Sequence, residues 1–147
     1  MTRTISEDLD GSGLAVAIAV ARFNTLEGLA ECGVSEGRSI VALVPGAFEL
    51  PYAARRLAES GRFDAVICLG CVIKGETDHD QYINQQTARG IAAVADQTGV
   101  PTIFGVLTPN TLEQALARAG EGAGNKGHEA ALSAVIMANL RKRLADV

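Results

Sequence analysis

Tryptophan is absent from this chain, and only six residues are aromatic, four Phe and two Tyr. An interior with so little aromatic bulk must be built from Ala, Val, Ile and Leu, so any aromatic beside a loop becomes a candidate for stacking on a ligand. Cysteine is scarce too: Cys32, Cys68 and Cys71 sit in apolar surroundings, which excludes a disulfide framework and suits a reducing cytoplasm. Positive charge is in deficit, 13 Lys and Arg against 17 Asp and Glu for a net charge of -4. That balance argues against nucleic acid or an acidic membrane as partner, and an anionic substrate would need a local basic site. Long apolar runs are missing as well. Leu14–Ala21 ends at Arg22, far short of the roughly 20 residues that cross a bilayer. The polar, acidic start Met1-Thr-Arg-Thr-Ile-Ser-Glu-Asp-Leu-Asp10 matches neither a signal nor a transit peptide.

What is present is enough for one core. A chain of 147 residues, 48% hydrophobic and 20% charged, reads as a single domain over 1–147. Residues 1–12 are expected to form an arm, either flexible or packed on a neighbouring subunit. Four short runs without alternation, Leu14–Ala21, Ile40–Val44, Ala65–Ile73 and Thr102–Leu107, suit parallel strands covered on both faces. Between and after them lie helical stretches at Leu50–Ser60, Gln81–Thr98, Leu112–Ala119 and Gly127–Leu144. The first of these carries Leu50, Ala53, Ala54, Leu57 and Ala58 on one stripe, with Pro51 in the tolerated first turn. Such alternation predicts a three-layer α/β/α sandwich of the flavodoxin-like kind with a four-stranded parallel sheet. One helix is short: Thr25–Cys32 spans eight residues, about 12 Å, against about 26 Å for an eight-residue strand.

Ligands in such sheets sit beyond the carboxyl ends of the strands. The loops there are Ala21-Arg-Phe-Asn24, Val44-Pro-Gly-Ala-Phe-Glu49, Lys74-Gly-Glu-Thr-Asp-His-Asp80 and Thr108-Pro-Asn110. They supply a stacking aromatic in Phe23, a carboxylate in Glu49, a cation in Lys74 and a histidine in His79. Gly75-Glu76-Thr77 enters a helix, so its N–H groups and the helix dipole suit a phosphate; equally, Thr77 and Asp78 suit simple helix caps. His79, between Asp78 and Asp80, has the chemistry of a proton carrier near neutral pH, and also of a solvated first-turn histidine.

Three other patterns do not carry chemistry. Gly122-Ala-Gly-Asn-Lys-Gly127 has glycines at dinucleotide-loop spacing but no strand before it. Cys68 and Cys71 lie three apart in a strand and point to opposite faces, as core residues rather than ligands. Asp78, His79 and Asp80 lack zinc-site spacing, so no metal is expected.

Taken in order, Ala21-Arg-Phe-Asn24, Val44-Pro-Gly-Ala-Phe-Glu-Leu-Pro51, Asp64-Ala-Val-Ile67, Gly70-Cys-Val-Ile-Lys-Gly-Glu-Thr77 with His79, Phe104-Gly-Val-Leu-Thr108, Glu113-Gln-Ala115, Arg118-Ala-Gly120 and Gly124-Asn-Lys-Gly127 resemble the motifs of the 6,7-dimethyl-8-ribityllumazine synthase family. The resemblance runs from about residue 13 to the carboxyl terminus. It implies the penultimate step of riboflavin biosynthesis: condensation of 5-amino-6-(D-ribitylamino)uracil with 3,4-dihydroxy-2-butanone 4-phosphate, without a cofactor. It further implies a homo-oligomer, pentamer or sixty-subunit icosahedral cage, with sites between neighbouring subunits and riboflavin synthase as a candidate partner. By the same resemblance Phe23 stacks on the pyrimidine, Ala47, Phe48 and Glu49 bind the ribityl chain, and Val72 and Ile73 meet the pyrimidine edge. Gly75, Glu76, Thr77 and Arg118 hold the phosphate, His79 moves protons, and Phe104 with Lys126 reach in from the adjacent subunit.

Three departures from the family pattern are visible. Asp80 stands where an aromatic is usual, and Lys74 replaces the more usual arginine, a point charge in place of a bidentate fork. After Asn24 the chain is shorter by about ten residues, nearly three helical turns. The gap leaves a second reading, a non-catalytic cage-forming or flavin-like ligand-binding homologue; the short Glu121–Gly124 loop resembles that of cage-forming members. A flavodoxin-like electron carrier fits less well, because the first strand ends in Arg-Phe-Asn rather than a Ser/Thr/Gly-rich phosphate loop.

Overall fold

The computed structural model describes residues 4–5, 7–20, 33–120 and 124–147. Among the described residues eight strands and α-helices follow in order: β1 (Val16–Val20), β2 (Ser39–Leu43), α1 (Leu50–Glu59), β3 (Ala65–Cys71), α2 (His79–Thr98), β4 (Thr102–Leu107), α3 (Leu112–Ala119) and α4 (Lys126–Ala145). The short first helix expected at Thr25–Cys32 lies outside the described residues, as does Phe23. All four strands are parallel, in the order β2-β1-β3-β4, with Ile18 opposite both Val41 and Ile67, and Cys68 opposite Phe104. The α/β architecture with a four-stranded parallel sheet is the one expected from the apolar runs.

The sheet separates two apolar layers by side-chain parity. Val16, Ile18 and Val20 point to one face with Ile67 and Leu69, against Ala130, Ala131, Ala134 and Ala138 of α4. A row of alanines at helical spacing lets the helix axis approach while branched strand residues fill the space, each such side chain stabilising by about 1.5–3 kcal/mol. Ala17 and Ala19 point to the other face, and here the bulk comes from the helices and flanking loops: Leu50 of α1, Ile91 and Val94 of α2, and Phe63. Gly90 sits where α2 crosses α1. A Cβ there would meet the Pro51 ring at 2.7 and 2.8 Å, so only glycine allows this approach.

Several expected boundaries move for identifiable reasons. Leu14 and Ala15 are buried but precede the ladder, because Leu14 N–H closes a turn on the Gly11 carbonyl at 3.1 Å. Helix α2 starts at His79, two residues before the expected Gln81, where Thr77 Oγ1 accepts the His79 N–H at 3.4 Å. Helix α4 starts at Lys126, capped by Asn125, whose side-chain oxygen accepts the His128 N–H at 3.0 Å. The expectation of strands covered on both faces fails for β2, where Ile40, Val41 and Leu43 are 42%, 41% and 77% exposed. It is an edge of the sheet, and α1 lies over β1 and β3 and α4 over β3 and β4 rather than over it.

Asp8 to Ser12, the distal part of the expected arm, lies along α4 of the same chain. Asn139 Nδ2 donates to the carbonyls of Asp8 at 3.0 Å and Asp10 at 2.9 Å, and Arg143 pairs with the Asp8 carboxylate at 3.0 Å. Among the described residues no helix is long and apolar enough to cross a membrane.

Candidate functional site

The chain leaves β1 for β2 on one side and then crosses to β3 on the other, so the carboxyl ends of β1 and β3 flank the switch point of the sheet. Three described loops meet on this rim. The first, Val44 to Glu49, is fixed to the end of β1 by Val44 N–H on the Val20 carbonyl at 3.0 Å. It tightens into a 3-10 turn at Ala47–Glu49, with Glu49 N–H on the Gly46 carbonyl at 3.2 Å, and runs directly into α1. Ala47 is buried under the turn while Phe48, 56% exposed, and the Glu49 carboxylate face outward. Burying a phenyl ring is worth a few kcal/mol. In a chain with so few aromatics, one left at the mouth of a switch point is a surface for a planar ligand.

The second loop follows β3. Val72 N–H donates to the Leu107 carbonyl at 2.8 Å and Lys74 N–H to the Pro109 carbonyl at 3.0 Å, so the loops after β3 and β4 stay zipped past the strand ends. Val72 is half-buried, whereas Ile73, Lys74, Gly75, Glu76 and Thr77 are exposed. Gly75-Glu76-Thr77 therefore arrives at the N-terminus of a 20-residue helix, whose dipole presents about half a positive charge there. The backbone carbonyl of Asp78 accepts Gln81 N–H at 3.1 Å, and Thr77 Oγ1 takes His79 N–H. The N-cap position is Asp78, whose side chain caps no backbone N–H, while Thr77 Oγ1 accepts from the first helical residue and keeps its hydroxyl proton available to an anion. His79 is the first residue of α2, with its imidazole exposed on the rim.

The expected residues divide into groups. Ala47, Phe48, Glu49, Val72, Ile73, Gly75, Glu76, Thr77 and His79 all lie on the carboxyl rim. Arg118 stands on α3, exposed, its guanidinium donating to the Gln114 carbonyl at 3.2 Å. Phe104 and Lys126 line a different pocket, about 290 Å³, on the open edge of β4, where Lys126 Nζ pairs with Glu129 at 2.7 Å. The expected residues therefore fall in separate places on one chain, the rim, α3 and the β4 edge.

Sequence reading missed a polar line on α2. Asp80 Oδ1, Asn84 Oδ1 and Thr87 Oγ1 are buried and have no hydrogen-bond partner among the described residues, and Thr87 is 1% exposed. Their i, i+4, i+7 spacing continues into Ile91 and Val94, so the helical period that marks the buried stripe would have picked them out. Cys68 is a free thiol, and burial pushes its pKa up to about 12; Cys71, also free, is raised by burial to a lesser degree of enclosure. Among the described residues no group of three His, Cys, Asp or Glu is placed to hold a metal ion.

A comparison with protein families matches residues 13–142 to 6,7-dimethyl-8-ribityllumazine synthase. The chain belongs to this family. The match takes in all four strands, every described rim loop, and the β4 edge with Lys126. Lumazine synthases are transferase-type enzymes of riboflavin biosynthesis that act on small substrates as oligomers.

Proposed function

We propose that this protein condenses 5-amino-6-(D-ribitylamino)uracil with 3,4-dihydroxy-2-butanone 4-phosphate to 6,7-dimethyl-8-ribityllumazine, releasing phosphate and water. The match across residues 13–142 supports this reading most, because it covers the loops that meet at the switch point. The chain acts as one domain, and each site is completed between copies: the rim of one chain faces the Phe104 and Lys126 edge of the next. An edge strand whose pocket carries an exposed aromatic and a cation, apart from the rim of its own chain, suits that arrangement.

The chemistry follows from the residues. Phe48 and Glu49 hold the ribityl chain, the carboxylate accepting from its hydroxyls, while Val72 and Ile73 offer backbone groups to the pyrimidine edge. The Gly75-Glu76-Thr77 turn at the start of α2 receives the phosphate, with Arg118 as a bidentate donor. The amine attacks the ketone to give an imine and a first water, phosphate leaves by elimination, and ring closure onto the remaining carbonyl expels a second water; each step moves a proton, and His79 stands at the rim to carry it. Holding two dissimilar substrates in register supplies much of the acceleration, up to about 7–11 kcal/mol in favourable cases. No step is assigned to a cofactor.

Incubating the pure protein with both substrates and following lumazine absorbance and fluorescence tests the reaction, with native mass spectrometry on the same sample. Product together with a pentamer-based mass is expected. A monomer that makes no product refutes the reading. Arg118→Ala is expected to raise KM for the butanone phosphate by an order of magnitude or more, leaving pyrimidine binding in place.

A further inference from the structure

The opposite rim, where β2, β3 and β4 begin, holds an open pocket of about 500 Å³ to which no part of the proposed reaction is assigned. It is separated from the carboxyl rim by the length of β3, roughly 23 Å at 3.3 Å per residue. Three guanidiniums line it from three separate places in the chain: Arg38 just before β2, Arg62 between α1 and β3, and Arg141 on α4.

Two carboxylates also line the pocket, and both are already engaged. Glu59 pairs with Arg55 at 2.7 Å and Arg56 at 3.6 Å. Asp64 accepts the Ala15 N–H at 2.8 Å and lies 3.7 Å from Lys142 Nζ. Among the described residues Arg62 and Arg141 have no acidic partner; the Arg62 guanidinium instead sits 5.8 Å from the centre of the Phe63 ring. Arg38 uses its Nε–H on the Leu14 carbonyl at 3.3 Å. The carboxyl ends of α1 and α2 point here too, and each contributes about half a negative charge. Together they offset about one guanidinium of the three, so the pocket stays positive. Gln97 adds a donor: its side-chain carbonyl is taken by Arg55, which leaves its amide NH2 for a ligand.

We propose that this pocket is an anion site for a phosphate dianion, with Arg62 and Arg141 as the principal donors and Arg38 and Gln97 completing the ring. Guanidinium forks match phosphate oxygens two at a time, and convergence of three from separate elements is what a multiply charged anion needs. The site does not depend on the reaction proposed above. Its ligand is either free phosphate or the phosphate group of a small ester.

The test is calorimetric titration of the whole protein at low ionic strength with inorganic phosphate and, separately, with glycerol 3-phosphate. Wild-type protein is expected to bind phosphate in this pocket, and Arg62→Gln/Arg141→Gln to lose it or weaken it about tenfold or more while leaving any phosphate bound at the carboxyl rim in place. Equal affinity for the two probes identifies free phosphate as the ligand, and tighter binding of glycerol 3-phosphate identifies an ester. Wild-type stoichiometry and affinity in the double variant overturn the proposal. A crystal of wild-type protein soaked in tungstate gives a readout independent of how the variant folds. Anomalous density between Arg62 and Arg141 supports the site, and density at the α2 N-terminus alone overturns it.

Discussion

Gly90 decides how α1 and α2 cross, and replacing it with alanine sets two known effects against each other. In an unconstrained helix Gly→Ala stabilises by about 1 kcal/mol, because alanine has less backbone freedom to lose. Here the new Cβ would lie 2.7 Å from Pro51 Cγ and 2.8 Å from Pro51 Cβ, about 1 Å inside carbon–carbon contact. The proline ring has no rotamer to escape into, so the first turn of α1 must move, at a cost of about 1–3 kcal/mol for an overpacked contact. The net expectation is destabilisation, up to about 2 kcal/mol, or a fall in melting temperature of several degrees for a chain of this length. Urea unfolding at fixed protein concentration measures it, with Ala92→Gly at an exposed position of the same helix calibrating the helix term. Because Pro51 follows the Phe48–Glu49 turn, KM for the pyrimidine substrate is expected to rise as well. A Gly90→Ala protein about 1 kcal/mol more stable than wild type would refute the close approach of the two helices.

Other consequences follow from single side chains. His79→Ala is expected to slow single turnover on the order of 10²-fold without abolishing it, since orientation of the two substrates is untouched; full turnover removes the proton-carrier role. Thr87→Val deletes a buried hydroxyl with no partner among the described residues and is expected to stabilise by about 1 kcal/mol in urea unfolding; a loss instead means the hydroxyl is bonded in solution. The Cys68 thiol, pushed up to about 12 from an ordinary 9.0, holds its proton when folded but releases it when unfolded. Its contribution is therefore complete below about pH 9 and is lost as pH rises toward 12, so Cys68→Ala is expected to flatten the alkaline fall in stability; an unchanged slope refutes it.

The central strands β1 and β3 were legible because their runs are enclosed on both faces, where nothing but apolar residues survives. The run Ile40–Val44 looked the same in the sequence, yet β2 is an edge, and no residue within it records how many neighbours its strand will have. Helix starts were legible to within two residues, Thr111 and Asn125 being caps whose side chains bond the N–H three positions on. The rim was legible because loops at strand ends share one geometry. What position along the chain does not reveal is that Phe104 and Lys126 stand apart from that rim; Asp80, Asn84 and Thr87 were legible only through the helical period they share with Ile91 and Val94, against the polarity of their side chains.

The clamp between Asn139 and the backbone at Asp8 and Asp10 has a mechanical consequence. Any tag, cargo or surface tether attached ahead of Glu7 pulls first on two amide hydrogen bonds and one exposed ion pair, each worth about 1 kcal/mol or less. Those contacts give way long before tension reaches β1. The arm thus serves as a strain relief, and fusions there load α4 rather than the sheet that carries the rim.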